Sequence, residues 1–403
     1  MLDTQAAPDN ADAASGLRGR HILYVTHRLP YPPTGGARVR AFHTIRHLAR
    51  HNKVTVAAPV RDAAEARAAK DLAALGHRVL TAPISRSRAI TQALLHAASG
   101  RPASKGYFHA AGLAARIREL AEREPIDLAL VHCSAVGHYV ENLDAGLRVL
   151  DFVDMDSCKW RDYSRVTGWP RNLVHAWEGL TLARHERRLA GWFDLSLTAT
   201  AHEQASLDEL APGTASAVVR NGVDLEYFQP TTTPYDPDRI CFIGRMDYFP
   251  NEQAMVAFCN EVWPRIRARR PGARLSIVGA DPTATVRGLA AHPGVEVTGS
   301  VPDVRPYVRR CAASVAPLKL ARGTQNKVLE AMAMGVPVIA SALAARGVDA
   351  VPGEHLLAPD TPDEMAGAIV RVMTDAAYRD RFSRAGRQHI EDRYAWSTAL
   401  GDL

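Results

Sequence analysis

The chain has 403 residues, 47% hydrophobic, 23% charged and 6% aromatic, with a formal net charge of +6, a globular composition that excludes disordered, collagenous and low-complexity classes. At about 150 residues per domain the length implies two or three domains. The mild positive excess suits anionic small molecules or membrane surfaces as well as nucleic acid.

Residues 1–20, rich in Ala, Asp and Asn and without an apolar run, read as a disordered tail and not as a signal peptide. From His21 onward short β-branched runs alternate with helical patterns, which is the signature of an α/β chain built of βα units around parallel sheets. Strands are expected at 22–26, 54–57, 78–81, 126–131, 147–153 and 195–199, and a second series at 239–244, 275–279, 295–298, 313–316 and 336–340. The turn formers and prolines of 221–238 make that segment the linker. The expected organisation is an N-terminal Rossmann-like domain over 21–220 and a C-terminal one over 239–390. Residues 391–403 form a closing segment expected to pack back on the first domain. Two doubly wound sheets bind ligands beyond the carboxyl ends of their strands, so a shared cleft is expected.

Five cysteines, Cys133, Cys158, Cys241, Cys259 and Cys311, are scattered and form no Cys-x-x-Cys pair. That pattern argues against a disulfide framework or a zinc site and for a reducing, cytoplasmic setting. The strongest apolar stretch, 336–345, is far short of the ~20 residues that span a bilayer, so any membrane contact is expected to be peripheral.

The loop after the first strand delivers Gly35 and Gly36 to a helix start, where free N–H groups favour anionic or hydroxyl-rich ligands. The alternative is a plain βα turn using glycine for positive φ. On the helix that follows, Arg40, His43, His47 and Arg50 form a basic stripe, either a solvated face or a contact for anionic lipid headgroups. Asp154 and Asp156 follow the strand 147–153, at the end where open α/β sheets place functional groups; the alternative is helix capping. A second Asp-x-Asp at Asp236 and Asp238 shows that chance explains the spacing itself.

The segment 317–340 runs strand, Gly-containing loop, helix, strand. Arg322 and Lys327 flank the helix start, where cations and free N–H groups together can hold a diphosphate. Glu330, one turn on, can accept both hydrogen bonds of a vicinal diol such as a ribose, or it merely solvates a polar helix face. Gly244-Arg245 ends the first strand of the second domain, so Arg245 is either a phosphate clamp aimed where Lys327 points or an ordinary surface arginine.

Taken together these pieces resemble family 4 of the retaining glycosyltransferases, with the two-domain GT-B fold. The matching segments are Pro32-Pro33-Thr34-Gly35-Gly36-Ala37, Glu186-Arg187-Arg188, Asn221-Gly222-Val223-Asp224, Phe242-Ile243-Gly244-Arg245, 297–303 and 329–338. The segments 153–160 and 323–327 look like the sugar transferases of exosortase-linked exopolysaccharide clusters. The resemblance implies a UDP- or GDP-sugar donor on the C-terminal domain and a glycan or lipid-linked acceptor on the N-terminal one, at the inner membrane face. Arg245 and Lys327 would clamp the diphosphate, Glu330 the ribose, and Val301 would meet the base. Gly35, Gly36, Arg322, Gly323 and Thr324 would complete the donor side, while Arg38, Asp154 and Asp156 would face the acceptor, with Asp154 orienting or deprotonating its hydroxyl. No metal cofactor is expected if Arg245 and Lys327 neutralise the leaving group.

Two departures stand out. The family's first Glu would fall at Arg322, and the Lys usual six residues beyond the arginine of Gly-Arg is Asn251. Lys327 is therefore expected to supply the missing charge, and the donor sugar to be read differently, for example as an anionic sugar. A nucleotide-sugar 2-epimerase of the same fold and a non-catalytic nucleotide-sugar-binding protein are the rival readings. Nucleic acid is excluded as a partner by the dispersed basic residues.

Overall fold

A computed structural model describes residues 18–401; apart from its last three residues, the segment read as a tail lies outside that range. The chain forms two compact units, one taking residues up to Thr198 plus Ser206–Ala217, the other Ala199–Ala205 plus the chain from Val218.

The first unit contains β1 (His21–Thr26), β2 (Lys53–Val60), β3 (Arg78–Pro83), β4 (Ile126–His132), β5 (Ala145–Val153), β6 (Leu195–Thr198) and β7 (Ser216–Val218). Their order in the sheet is β3-β2-β1-β4-β5-β6-β7, and the pairs from β3 to β6 are parallel. β1 is buried along its whole length, which is why its sequence is a continuous apolar run instead of an alternating one. The strand order reverses between β1 and β4, so the carboxyl ends of these two strands flank the position where doubly wound sheets bind ligands.

The second unit contains β8 (Asp236–Ile243), β9 (Arg274–Val278), β10 (Val295–Gly299), β11 (Cys311–Ala316) and β12 (Val338–Ala340). Their order is β10-β9-β8-β11-β12, all parallel. The same reversal recurs, between β8 and β11. The turns after β8 and β9 press together so closely that a Cβ on Gly279 (φ 152) would lie 1.7 Å from the carbonyl oxygen of Gly244. Only glycine fits there. All five cysteines are free, and four of them are buried.

Both Rossmann-like sheets appear where the apolar runs put them, with three corrections. β8 starts at Asp236, inside the segment read as linker, because the Asp236 N–H donates to Arg310 O at 2.8 Å and the carboxylates of Asp236 and Asp238 bind Arg274 and Arg270. The closing segment joins the second unit and not the first: the Val223 N–H donates to Tyr394 O at 2.7 Å, and Trp396 lies against Gly222. In the helix Gly36–Leu48 the buried face is Arg40, Ala41, Thr44, Ile45 and Leu48, so Arg40 does not belong to a surface stripe. Its guanidinium makes two hydrogen bonds to Asp151, Nε at 2.7 Å and Nη2 at 3.0 Å, with both groups buried. A guanidinium leaves water at this depth only when such a partner is present.

Candidate functional site

In the second unit the candidate residues gather around the turn that ends β8. Lys327 is the second residue of the helix Asn326–Ala333, which no side chain caps at its start. The Lys327 Nζ donates to Asn251 Oδ1 at 2.6 Å and sits 4.6 Å from the centroid of the Phe242 ring. The Asn251 amide in turn donates to the Arg245 carbonyl at 2.8 Å. A Cβ on Gly244 would lie 2.7 Å from Asn251 Nδ2 and 3.6 Å from Lys327 Nζ, so the missing side chain is what lets the ammonium reach the turn.

Glu330 lies one turn along the helix, on the same face as Lys327. Burial pushes the Lys327 ammonium down to about 7 and the Glu330 carboxyl up to about 7, each opposed by the charge of the other. Groups poised this way mark sites that exchange charge with a ligand.

Arg245 reaches the same turn by its backbone, but its guanidinium does not point at Lys327. It bonds Asp247 (Nε to Oδ1 3.0 Å, Nη2 to Oδ2 2.6 Å) and Asp281 (2.8 Å), and it stays exposed. Those bonds to Asp247 hold it more firmly cationic. The expectation that Arg245 and Lys327 converge is thus corrected: two local carboxylates compete for the guanidinium.

Arg322 donates to Glu203 Oε1 at 3.3 Å, with Glu203 fully buried. A carboxylate therefore does stand in this region, supplied by another segment, and the cation at position 322 answers it. Gly323 adopts a positive φ of 58. The Thr324 hydroxyl is buried without a hydrogen-bond partner among the described residues, a polar atom of the kind that a ligand or a water satisfies. Val301 lies in the loop after β10, packed against the core of the unit.

In the first unit the carboxyl ends of β1, β4 and β5 carry His27, His132, Cys133, Asp154 and Asp156. The rings of His27 and His132 stack with centroids 5.9 Å apart and planes at 1°. His132 Nδ1 lies 3.5 Å from Asp151 and 3.3 Å from the Tyr24 hydroxyl. His27 Nδ1 and His132 Nε2 are buried without a hydrogen-bond partner among the described residues, and burial, aided by the His132 ring, pushes His27 well below the usual histidine range. Two residues with side chains take positive φ here, Cys133 (86) and Val153 (65). For β-branched Val153 that is a strained conformation of the sort that clusters at functional sites.

Asp156 pairs with Lys159 and accepts from the Cys133 thiol at 3.8 Å. Glu186 faces the same group: its Oε1 accepts from the Ser157 N–H at 3.1 Å, its Oε2 has no hydrogen-bond partner among the described residues, and burial together with Asp156 raises it to about 8. Asp154 is half-buried and is not a helix cap, since Met155 occupies the cap of Asp156–Val166. Gly35 caps Gly36–Leu48 with φ 89 and open space beside it, and Arg38 pairs with Glu65 at 3.4 Å.

Sequence reasoning passed over His27, His132 and Asn251 as site residues and quoted Glu186 only as a motif position. The reversal of strand order points to both histidines once β1 and β4 are known neighbours. Among the described residues no three His, Cys, Asp or Glu side chains group in a way that could hold a metal ion.

Residues 237–375 match the family model described as Glycosyl transferases group 1, and that stretch lies within the second unit. Glycogen synthase of Mycobacterium tuberculosis is 26% identical over 242 residues, 55% of this chain and 56% of that protein; the alignment spans about half the length of that curated relative. Among solved structures, sucrose-phosphate synthase from Thermosynechococcus elongatus superposes with a TM-score of 0.70 at 16% identity, covering 95% of this chain and 97% of that one. Anabaena Alr3699/HepE in complex with UDP-glucose gives 0.66 at 14%, covering 95% and 98%. TarM gives 0.68 at 9%, covering 95% and 97%. At such identities the likeness is one of fold: two Rossmann-like α/β domains, as in GT-B glycosyltransferases.

Proposed function

We propose that the protein is a retaining glycosyltransferase of family 4 type. It transfers a sugar from a UDP- or GDP-sugar to a hydroxyl of a lipid-linked or polysaccharide acceptor in exopolysaccharide synthesis, without a metal cofactor. The observation that carries this reading is the Lys327 ammonium, fixed by Asn251 beside the Gly244-Arg245 turn and one helical turn from Glu330, inside the segment that matches a glycosyltransferase family.

In this reading Lys327 and the uncapped helix start neutralise the pyrophosphate as the anomeric C–O bond breaks and its electron pair leaves with the nucleoside diphosphate. Arg245 joins them by exchanging Asp247 and Asp281 for phosphate oxygens. Glu330 accepts hydrogen bonds from the ribose diol. The acceptor oxygen bonds to the anomeric carbon on the same face, and its proton passes to the departing phosphate. Asp154 orients that acceptor hydroxyl, beside the His27–His132 pair. That Alr3699/HepE is described with UDP and with UDP-glucose makes UDP-glucose the first donor to try.

The test is a thermal-shift screen over nucleoside diphosphates and their sugars, followed by turnover with acceptor glycans in EDTA. A stabilising donor and an acceptor-dependent product, both lost in Lys327→Ala and Glu330→Ala, support the proposal. Donor epimerisation without acceptor, or turnover unchanged in both variants, refutes it.

A further inference from the structure

Large hydrophobic side chains left in water are unevenly distributed over this molecule. Fifteen are strongly exposed among the described residues, and ten of them fall from Ile90 to Leu180. Most belong to two helices of the first unit, Arg86–Ala98 and Arg171–Ala190, or to the turn before the second. On the first helix Leu94 (66% exposed) and Leu95 face out beside Ile90. On the second, Leu173, Trp177 and Leu180 follow at spacings of four and three, with Val174 (64%) alongside and Trp169 (81%) just ahead of the helix. Those spacings put them on one stripe. The two helices are joined, since the Trp177 Nε1–H donates to Ala97 O at 3.3 Å, so the stripes form one continuous apolar face.

The exposed charges on these two helices have one sign. The first helix contains no carboxylate, and the only two on the second, Glu178 and Glu186, are buried. Glu178 is turned inward by the N–H groups of Ala103 and Ser104, at 2.8 and 3.0 Å. Arg86, Arg88, Arg171, Arg184, Arg187 and Arg188 are all exposed, and among the described residues Arg188 alone of these has an ion pair, with Glu141. An apolar face with tryptophans and an arginine rim is the composition that lies in a lipid headgroup layer. A symmetric contact with a second copy would set these arginines against their own like charges.

We propose that this face docks the protein on an anionic phospholipid bilayer, with Leu94, Leu95, Trp169, Leu173 and Val174 entering the acyl boundary and the arginines meeting lipid phosphates. The surface differs from the stripe suggested by the helix Gly36–Leu48, whose Arg40 is buried against Asp151. The inference stands on exposure and charge, independently of the transferase reading, and is measured by binding alone.

The experiment is flotation of the full chain with vesicles of phosphatidylglycerol and phosphatidylcholine, and with phosphatidylcholine alone. Wild type is expected on the anionic vesicles and not on the neutral ones. A triple variant Leu94→Ser, Leu173→Ser, Val174→Ser is expected to partition at least about tenfold less. Arg184→Ala with Arg187→Ala is expected to lose roughly tenfold on anionic vesicles. The replaced side chains are exposed, so an unchanged melting temperature identifies variants that still fold. Equal binding to both lipid mixtures, or undiminished binding by the triple variant, overturns the proposal. So does a concentration-dependent dimer, seen by light scattering and abolished by the triple variant, in a protein that leaves vesicles unbound.

Discussion

If Lys327 and Glu330 hold the pyrophosphate and the ribose, donor binding must move protons, and the direction must reverse with pH. In the free protein both groups titrate at about 7. At pH 8 the pair is neutral lysine with carboxylate, and at pH 6 it is ammonium with carboxylic acid. The bound state requires ammonium and carboxylate at either pH. Binding at pH 8 therefore takes up a net ~0.8 proton and binding at pH 6 releases ~0.8, with zero net exchange near pH 7. Affinity falls about threefold over the first pH unit away from that optimum and approaches tenfold, or ~1.4 kcal/mol, for each unit beyond it.

Isothermal titration calorimetry with UDP-glucose, in two buffers of different ionisation enthalpy at each pH, counts these protons directly. A sugar nucleotide suits the measurement because, unlike free UDP, its phosphates do not titrate in this range. Lys327→Met should abolish the uptake at pH 8 and Glu330→Gln the release at pH 6, each leaving the other intact. Binding with no proton exchange at either pH would refute the pairing of these two groups with the donor.

Three other outcomes follow from particular contacts. Asn251→Ala frees the Lys327 ammonium and leaves the Arg245 carbonyl unpaired, so donor affinity should drop with a loss of ~1–2 kcal/mol in unfolding free energy, read by denaturant titration. Arg322→Glu, which writes the family residue back, sets a second carboxylate against buried Glu203 and should lower both stability and donor affinity, measured by thermal shift with and without UDP-glucose. Arg40→Met strands the Asp151 carboxylate and should cost ~3–5 kcal/mol. Wild-type Asp151 is held below the usual carboxylate range by Arg40 against its burial, so its contribution is present above about pH 4 and fades as pH falls further. In the variant burial is opposed only by His132 and the Val153 N–H, so that carboxyl titrates higher than in wild type and less stability is lost on acidification. Urea titrations across pH distinguish the two slopes.

The strands were legible because a strand buried on both faces is a plain apolar run, as in β1 and β11. The edges were less so. β12 starts at Val338, two residues later than the apolar run, since Pro337 has no N–H for a ladder. β8 starts earlier than its turn-forming residues suggest, through ion pairs to arginines 32 and 38 residues further along the chain. The same distance effect governs the site. Lys327 and Glu330 could be read because they share one helix. The partner that decides where Arg40 goes is 111 residues away, and Asn251 is 76 residues from Lys327. Asp281 reaches Arg245 from 36 residues on. A helical wheel sees spacing along one element and nothing of what another element brings beside it.

The sulfur chemistry of the molecule follows from where its thiols lie. Burial lifts the Cys259 thiol to about 12, and a hydrogen bond with Cys241 together with burial raises Cys311 well above its ordinary value, so these groups carry almost no thiolate at neutral pH and react slowly with electrophiles. Iodoacetamide therefore meets an inert native protein and labels these sulfurs only in molecules whose interior has opened. The rate of alkylation becomes a clock for spontaneous opening, readable by mass spectrometry one cysteine at a time, with Cys259 and Cys311 timing the second unit and the buried Cys158 the first.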